Sequence, residues 1–394
     1  ARDAQAASVA TLAYLTLNED DARILIRLQG GMSKLQALLY ANDPLLQSHA
    51  AEVFAHCAPN KDSRIAMRLA DCLSPLVGLL SSPHAAARVA AAGALMQGTQ
   101  ATRTNQVKCR ELGAIAPLLR LLEPPEEGPP DREAQRRGVW TLSNIACEPT
   151  AAKQLRQSPS GFGPLIMLIA GGDPVLQRPA AACLFNATAN DLGAATAIEG
   201  TGGLPALSGA LTYAATDEHH EIVASSAGVL LNCAAQKGMS NTIMASQPEV
   251  LPRLLGAVKL VEFVPQVSNA IGALMNIAAE SEEAVSIMLD GPQKYELLYS
   301  VLPSMRDEAA VCCHVAGCIA NLCMIEPGRD MLVATAGVKN IVETLESSED
   351  DAQSCACCVA LLNACHQHVA CREQTLDCGG IGALVMCLAS ENAD

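Results

Sequence analysis

Cysteines and histidines are concentrated in two segments of the sequence, "CCHVAGCIANLC" and "CACCVALLNACHQHVAC". These residue types could bind a metal ion or supply a thiol nucleophile. A zinc site needs four ligands that converge tetrahedrally, commonly from short spacings on flexible turns. Seven of the nine cysteines in these segments lie instead on predicted helices, where most take the place of alanine. They are Cys312, Cys313, Cys318, Cys355, Cys357, Cys358 and Cys365.

A smaller constellation at the end of a predicted helix comes nearest to a metal-binding cluster. It consists of Cys365, His366, His368 and Cys371. By spacing alone, Cys313 and His314 could also form a nucleophile and its base, but adjacent residues of a helix point apart. We interpret both groups as structural and predict no metal site.

The remaining short motifs do not support catalysis or nucleic-acid binding. The glycine-rich "EGTGGLP" at 199–205 lacks the strand and the lysine of a phosphate-binding loop, and "HHE" at 219–221 lacks the second histidine of a zinc-protease motif. The basic "REAQRR" at 132–137 has no interleaved aromatic residues and is too small for nucleic-acid recognition. We therefore predict a protein that is not an enzyme and needs no cofactor.

An asparagine recurs at one position of an otherwise apolar, helix-like phrase, as in "GVWTLSNIACEP" at 138–149. Asparagine is a poor residue for a helix interior, because its side chain competes for backbone groups, so its recurrence indicates a role. The six copies are separated by 42, 46, 44, 45 and 42 residues. They are Asn144, Asn186, Asn232, Asn276, Asn321 and Asn363. This regular spacing is typical of a repeat protein.

The same register extends upstream through Gln97, His56 and Tyr14, so about nine units cover the chain. A period of roughly 40–47 residues is typical of two- or three-helix repeats. Residues 100–149 show one unit, in which "TNQVKCREL" is a short first helix, "GAIAPLLRLL" a second and "REAQRRGVWTLSNIA" a long third. We predict an all-α fold in which residues 1–394 form a single solenoid. Because the first and last repeats look incomplete and uncapped, we expect it to belong to a longer protein or to be covered by partners.

A glycine is expected to turn the chain between the first and second helices, since glycine adopts the left-handed conformation of a helix C-cap most easily. The predicted corners are Gly31, Gly113, Gly163, Gly203, Gly337 and Gly380. Prolines beside some of these corners fit the first turn of the next helix, where a missing backbone donor costs little. They are Pro117, Pro164 and Pro205.

Composition and charge favour an intracellular protein with protein partners. No signal-peptide pattern precedes the 17 cysteines, and no apolar stretch is long enough to span a membrane. Residues 1–197 carry 18 positive and 17 negative charges, whereas residues 198–394 carry 8 positive and 24 negative. This excess disfavours nucleic acid and anionic membranes and favours basic or neutral partners, unless it only keeps the chain soluble.

The glycine corner, the second helix and the "GVWTLSNIA" third helix resemble the armadillo repeat over the whole chain. The resemblance implies a right-handed α-solenoid whose third helices line a concave groove. In peptide-binding members, the asparagines grip the backbone of an extended partner segment. That role would fall on the six asparagines, with Trp140 beside the first of them. The alternative is that the amides only bond neighbouring helices or water.

The sequence departs from the import adaptors of this family. Their tryptophans, four residues before each asparagine, stack on lysine stems, but only Trp140 occupies such a position here. The other positions hold Ala182, Gly228, Gly272, Gly317 and Val359. Glycine is costly inside a helix, so we expect something bulky to approach these glycines, either a partner helix or a neighbouring helix of the solenoid.

We therefore expect a non-enzymatic interaction scaffold that works as a subunit of a larger complex. Family association suggests a cytoplasmic setting in a cilium or the cytoskeleton. The alternative is a nuclear-import-type adaptor for basic peptides, which the acidic second half favours and the missing tryptophans oppose.

Overall fold

The computed structural model describes residues 2–125, 128–212, 217–259, 263–290 and 292–388. Within these ranges the regular structure is entirely helical, with 27 α-helices, α1 to α27 in chain order, one short 3-10 helix at Leu302–Ser304 and no strand. The prediction of an all-α fold is confirmed, and the architecture is repeat-like and compatible with an α-solenoid.

Long and short helices alternate in a regular order, one long helix after every two short ones. The long ones, here called third helices, are α1 (Arg2–Asn18), α4 (Pro44–Cys57), α7 (Ala85–Thr99), α10 (Arg132–Ala146), α13 (Pro174–Asn190), α16 (Asp217–Ala234), α19 (Val264–Glu280), α22 (Ala309–Leu322) and α25 (Asp351–Cys365). All six recurrent asparagines lie on third helices, as the sequence predicts.

The first helix of each triplet is short, with seven to nine residues. These helices are α2 (Asp20–Leu28), α5 (Lys61–Leu69), α8 (Arg103–Glu111), α11 (Pro149–Gln157), α14 (Ala194–Gly200), α17 (Met239–Ser246), α20 (Glu282–Leu289), α23 (Glu326–Ala334) and α26 (Val369–Asp377).

The second helix of each triplet is also short and is rich in leucine, isoleucine and valine. These helices are α3 (Gly31–Leu39), α6 (Leu73–Leu79), α9 (Ile115–Leu122), α12 (Gly163–Ala170), α15 (Gly203–Ala210), α18 (Val250–Val258), α21 (Pro292–Ser300), α24 (Gly337–Glu346) and α27 (Gly380–Cys387). Pro117, Pro164 and Pro205 lie in the first turns of α9, α12 and α15, as expected.

The chain divides into two compact units, unit 1 (Ala1–Thr201) and unit 2 (Gly202–Asp394). In each unit, successive third helices pack directly on one another, as α4 does on α7 and α19 on α22. Small side chains permit this approach: Ala90, Ala91 and Ala94 are buried on α7, and Ala270 and Ala273 on α19. A core of alanine and branched aliphatic residues therefore replaces aromatic packing.

The glycine corners lie one residue earlier than several of the predicted positions. The left-handed residues are Gly30, Gly202 and Gly379, which precede Gly31, Gly203 and Gly380, whereas Gly113 itself has φ +78° as predicted. Gly380 instead begins α27 where a Cβ would lie 2.8 Å from the carbonyl oxygen of Thr375. Gly337 and Gly163 likewise begin helices, and neither has positive φ. In a Gly-Gly pair, the first glycine makes the turn and the second permits close approach.

Arginines of several first helices bind the end of the preceding third helix. Arg23 donates from Nε to the carbonyl of Thr16 (2.6 Å), Arg64 donates to that of Ala58 (2.9 Å), and Arg329 donates to that of Cys323 (2.9 Å). A cation there satisfies carbonyls that have no intrahelical partner and matches the negative end of the helix dipole. These bonds fix each third helix against the helix that follows it.

Candidate functional site

The candidate site is the face formed by the third helices within each unit, here called the third-helix face, on which the recurrent asparagines are all half-buried. Unit 1 contains Asn144 on α10 and Asn186 on α13. Unit 2 contains the other four on α16, α19, α22 and α25. Each is therefore accessible on one side and held by protein on the other.

Five of these asparagines donate from Nδ2 to a backbone carbonyl of the preceding third helix. The acceptors are Met96 for Asn144 (3.0 Å), Ser143 for Asn186 (3.1 Å), Leu231 for Asn276 (3.1 Å), Met275 for Asn321 (2.9 Å) and Ala320 for Asn363 (3.0 Å). Each of these five asparagines therefore uses one amide hydrogen to bond a neighbouring helix, which is what the alternative to partner binding predicts. Each bond also fixes the plane of the amide, so the remaining groups are held in a defined direction.

The amide oxygens of these five asparagines accept no hydrogen bond from the residues that the structure describes. For Asn186, Asn276 and Asn321, one N–H is also uncommitted within those residues. Asn144 differs because its Nδ2 also bonds Thr99 Oγ1 at 3.1 Å. A row of oriented acceptors, some with a donor beside them, can match the alternating N–H and C=O groups of an extended chain.

Upstream of the asparagines, His56 on α4 makes the equivalent contact. Its Nδ1 lies 3.1 Å from Thr16 Oγ1 on α1, and the Thr16 hydroxyl donates its own hydrogen to the carbonyl of Leu12. Burial lowers the pKa of His56, so the neutral form is favoured.

Trp140 on α10 does not present an empty stacking surface. The guanidinium carbon of Arg178 on α13 lies 5.0 Å from the centroid of a Trp140 ring, within the range of a cation–π contact. In the adaptor hypothesis this surface would hold a lysine of the cargo. Here a cation of the same chain occupies it.

The space above Gly272 and Gly317 is filled by side chains of neighbouring third helices. A Cβ at Gly272 would lie 2.9 Å from His314 Cε1 and 3.0 Å from Leu231 Cδ1, and one at Gly317 would lie 2.5 Å from Met275 Sδ. His314 crosses to α19 and bonds the backbone oxygen of Ser268 at 2.8 Å. Of the two expectations, the structure therefore supports a neighbouring helix as the bulky group at Gly272 and Gly317.

A cavity of about 450 Å³ opens on the third-helix face of unit 1, between α1, α4, α7 and α10. Its polar lining is largely paired. His49 lies 3.1 Å from Glu52, and both Arg136 and Arg137 bond Glu133 (2.7 and 2.5 Å). These two arginines lower the pKa of Glu133 to about 2. Two guanidinium groups thus share one carboxylate and leave a single excess positive charge.

The cysteine and histidine segments hold no metal cluster among the described residues. His368 uses both ring nitrogens: Nδ1 accepts from the Cys371 amide (3.2 Å) and Nε2 lies 3.1 Å from Asp330. Cys312, Cys318 and Cys357 are fully buried, and burial raises the pKa of Cys318 and Cys357 to about 12. Cys313 and His314 occupy α22, but His314 faces α19. The interpretation of the buried cysteines as packing residues fits these environments.

Glutamines near the start of third helices join these helices to the second helices that precede them. These glutamines were not among the residues predicted from the sequence. Each donates from Nε2 to a carbonyl near the end of the preceding second helix. The pairs are Gln135 with Leu122 (3.1 Å), Gln177 with Ile169 (2.6 Å) and Gln266 with Ala257 (2.8 Å). The available signal was the recurrence of glutamine within the first turn, as in "DREAQ" and "DPVLQ".

Comparison with known proteins bears on the fold alone. No protein-family profile matches the chain. It is similar to the crystal structure of an engineered protein, with a TM-score of 0.86 and 25% sequence identity over 100% of this chain and 92% of that one. A second engineered protein matches with a TM-score of 0.55 and 27% identity over 63% of this chain and 96% of that one. Among the described residues, no helix has the length and apolarity needed to cross a membrane.

Proposed function

We propose that the protein is a non-enzymatic interaction scaffold that binds an extended segment of a partner protein along its third-helix face. We further propose a right-handed armadillo-type solenoid of about nine repeats, with the chain acting as a subunit of a larger complex. The resemblance to armadillo repeats is the only support for a ciliary or cytoskeletal setting.

One observation carries this proposal: three of the recurrent asparagines (here called rungs), Asn186, Asn276 and Asn321, are each fixed by one bond to the preceding helix and keep an accepting oxygen without a partner among the described residues. A side chain that only joined two helices would not need to leave that oxygen at an accessible face. Adjacent packed helices lie roughly 8–10 Å apart, and an extended chain advances about 3.3–3.6 Å per residue. One rung would therefore meet about every third residue of the partner.

The test is a selection of extended peptides against the full-length protein, followed by affinity measurement with Asn276→Ala/Asn321→Ala. Each rung contributes about 0.5–1.5 kcal/mol, so the double variant should lose about 1–3 kcal/mol, or roughly fivefold to 150-fold in affinity. Asn241→Ala is the matched control, because Asn241 is exposed on the first helix α17. Unchanged affinity in the double variant, or an equal loss in the control, would contradict rung binding.

One observation favours the adaptor hypothesis, namely the excess of acidic residues in 198–394. Against it stands the contact of Arg178 with Trp140, which places a cation where the cargo lysine would stack. A lysine-rich peptide that bound at micromolar concentration and depended on Trp140 would favour the adaptor over the scaffold.

A further inference from the structure

Three thiols line one groove of unit 2, between α24, α25, α27 and the loop that precedes α25. The groove has a volume of about 970 Å³. Cys355 is exposed at its rim, whereas Cys358 and Cys387 are half-buried within it. The Cys358 Sγ lies 4.0 Å from the Cys387 Sγ, although the two residues are 29 positions apart in the sequence. The fold thus brings together two thiols from helices that are distant in the chain.

The sulfur atoms of Cys358 and Cys387 are close enough to form a disulfide after a small movement. A disulfide has an S–S distance of about 2.05 Å, so the two sulfur atoms must approach by roughly 2 Å. Side-chain rotation in an open groove can supply that movement, since neither sulfur is enclosed on all sides. The fully buried Cys357, one residue away, has no such access to solvent.

The surroundings keep the pair reduced until an oxidant arrives. Burial and the neighbouring Cys387 raise the pKa of Cys358 to about 11, so its thiol is protonated at neutral pH. Because the thiolate is the reactive form, oxidation should be slow and should require an added oxidant. Three carboxylates also line the groove. They belong to Glu346, Glu349 and Asp351.

We propose that Cys358 and Cys387 form an oxidative modification site, at which a peroxide converts the two thiols into a disulfide that joins α25 to α27. One thiol loses its proton and attacks a peroxide oxygen, which forms a sulfenic acid and breaks the O–O bond; the leaving hydroxide takes up that proton and departs as water. The second thiol attacks that sulfur, forms the S–S bond and expels a second water. In total, two thiols and one hydrogen peroxide give one disulfide and two waters.

The bond would have a direct effect on the third-helix region of unit 2. It would tie α27, whose Val385, Met386 and Leu388 are exposed, to α25, which carries Asn363. It would also narrow the groove between them. The disulfide would therefore constrain α25, the helix that carries Asn363. Formation of the disulfide does not itself depend on partner binding.

The experiment treats the reduced full-length protein with hydrogen peroxide, blocks remaining thiols with N-ethylmaleimide and identifies linked tryptic peptides by tandem mass spectrometry. We expect a Cys358–Cys387 link that dithiothreitol reverses, and a higher melting temperature before reversal. Cys358→Ser and Cys387→Ser should each abolish the link, and Cys355→Ser should retain it. Circular dichroism establishes that each variant is folded.

Two results would overturn the proposal. One is full alkylation of both Cys358 and Cys387 after peroxide treatment of the wild-type protein. The other is a dominant link between different cysteines, such as one that requires Cys355. A trivalent arsenical, phenylarsine oxide, gives a second measurement: it should bridge the wild-type pair and protect both thiols from alkylation, and protection of neither would also contradict the pairing.

Discussion

The guanidinium of Arg178 on α13 lies over Trp140 on α10, 5.0 Å from a ring centroid. Both residues project from successive third helices of unit 1, so the contact joins two repeats across the face proposed for partner binding. A cation–π contact of this kind contributes about 0.5–1 kcal/mol at an exposed site. The contact is therefore too weak to hold the helices together but strong enough to compete with an incoming lysine.

Removing this cation should change the optical properties of the protein, because Trp140 is its only tryptophan. We expect Arg178→Ala to shift or intensify the tryptophan emission, while the free energy of unfolding falls by no more than about 1 kcal/mol. Arg120→Ala, on the second helix α9, should leave the emission unchanged. Identical spectra for Arg178→Ala and the wild-type protein would contradict the contact.

Truncating a single rung should cost little stability. In Asn276→Ala the carbonyl of Leu231 loses one bond but keeps the amide of Ala235 as a donor at 3.1 Å. We expect a loss of about 0.5–1.5 kcal/mol in the free energy of unfolding, measured by urea denaturation with an unchanged slope. A loss above about 3 kcal/mol would show that the amide is essential to packing and would weaken the case for a binding role.

Two glycines of unit 2 should respond to alanine in opposite directions. At Gly328 on α23, a Cβ would lie 1.9 Å from the backbone oxygen of Leu322, so Gly328→Ala should destabilise by about 1–3 kcal/mol or more. At Gly256 on α18, nothing lies within 4 Å of the added atom, so Gly256→Ala should stabilise by up to about 1 kcal/mol. Thermal denaturation of both variants checks the pair, and a stable Gly328→Ala protein would contradict the position of α23 relative to α22.

Acidification should weaken the packing of α22 on α19. Burial lowers the pKa of His314 below its ordinary 6.5, so the unfolded chain binds more protons than the folded one in the interval below pH 6.5. The contribution of neutral His314 to the free energy of unfolding should therefore be fully present above pH 6.5 and should decrease as the pH falls below 6.5. We expect His314→Gln to show a smaller decrease in melting temperature between about pH 7.5 and 5.5.

Asn241→Ala, at an exposed residue of the first helix α17 that does not titrate, provides the control and should keep the wild-type dependence on pH. His56 also has a lowered pKa and contributes in the same direction, so the His314 variant should reduce the dependence without abolishing it. An unchanged dependence in His314→Gln would exclude this residue as a source of the effect.

The acidic excess of residues 198–394 should set the salt dependence of binding. We expect a lysine-containing extended peptide to bind more tightly than a glutamate-containing one of equal length, with an affinity that falls as salt shortens the Debye length to about 8 Å at physiological ionic strength. In the adaptor hypothesis, this affinity would also depend on Trp140. Tighter binding of the glutamate-containing peptide, or no response to salt, would contradict the role of the charge.

Three arginines of unit 1, Arg132, Arg136 and Arg137, are already paired with carboxylates. Arg132 lies 2.6 Å from Asp173, and Arg136 and Arg137 share Glu133. Charge counting along the sequence cannot reveal such pairing, because Arg132 and Asp173 are 41 positions apart. An acidic partner would have to displace these carboxylates before it could use the guanidinium groups.

Helical periodicity was sufficient to predict the third helix Arg132–Ala146 and the face that carries Asn144, because every third or fourth residue shares an environment. It could not show that Asn144 donates to the carbonyl of Met96, or that His314 fills the space at Gly272. Those contacts depend on the distance and rotation between helices that lie some 45 residues apart in sequence. The position of Gly379 in place of Gly380 as the left-handed residue similarly depends on helix ends, which local pattern fixes only to within a residue or two.

The hydrogen bonds that the asparagines make to the preceding third helix also link partner binding to the dynamics of those helices. When an amide oxygen accepts a hydrogen bond, its own N–H becomes a stronger donor, so a partner bound to Asn321 would tighten the bond from Asn321 to Met275. A bound strand would thus hold α19 and α22 more tightly together, and it would slow amide hydrogen exchange in both helices. Exchange protection should then spread outward from the occupied rung by one helix at a time, because each repeat is coupled only to its neighbours.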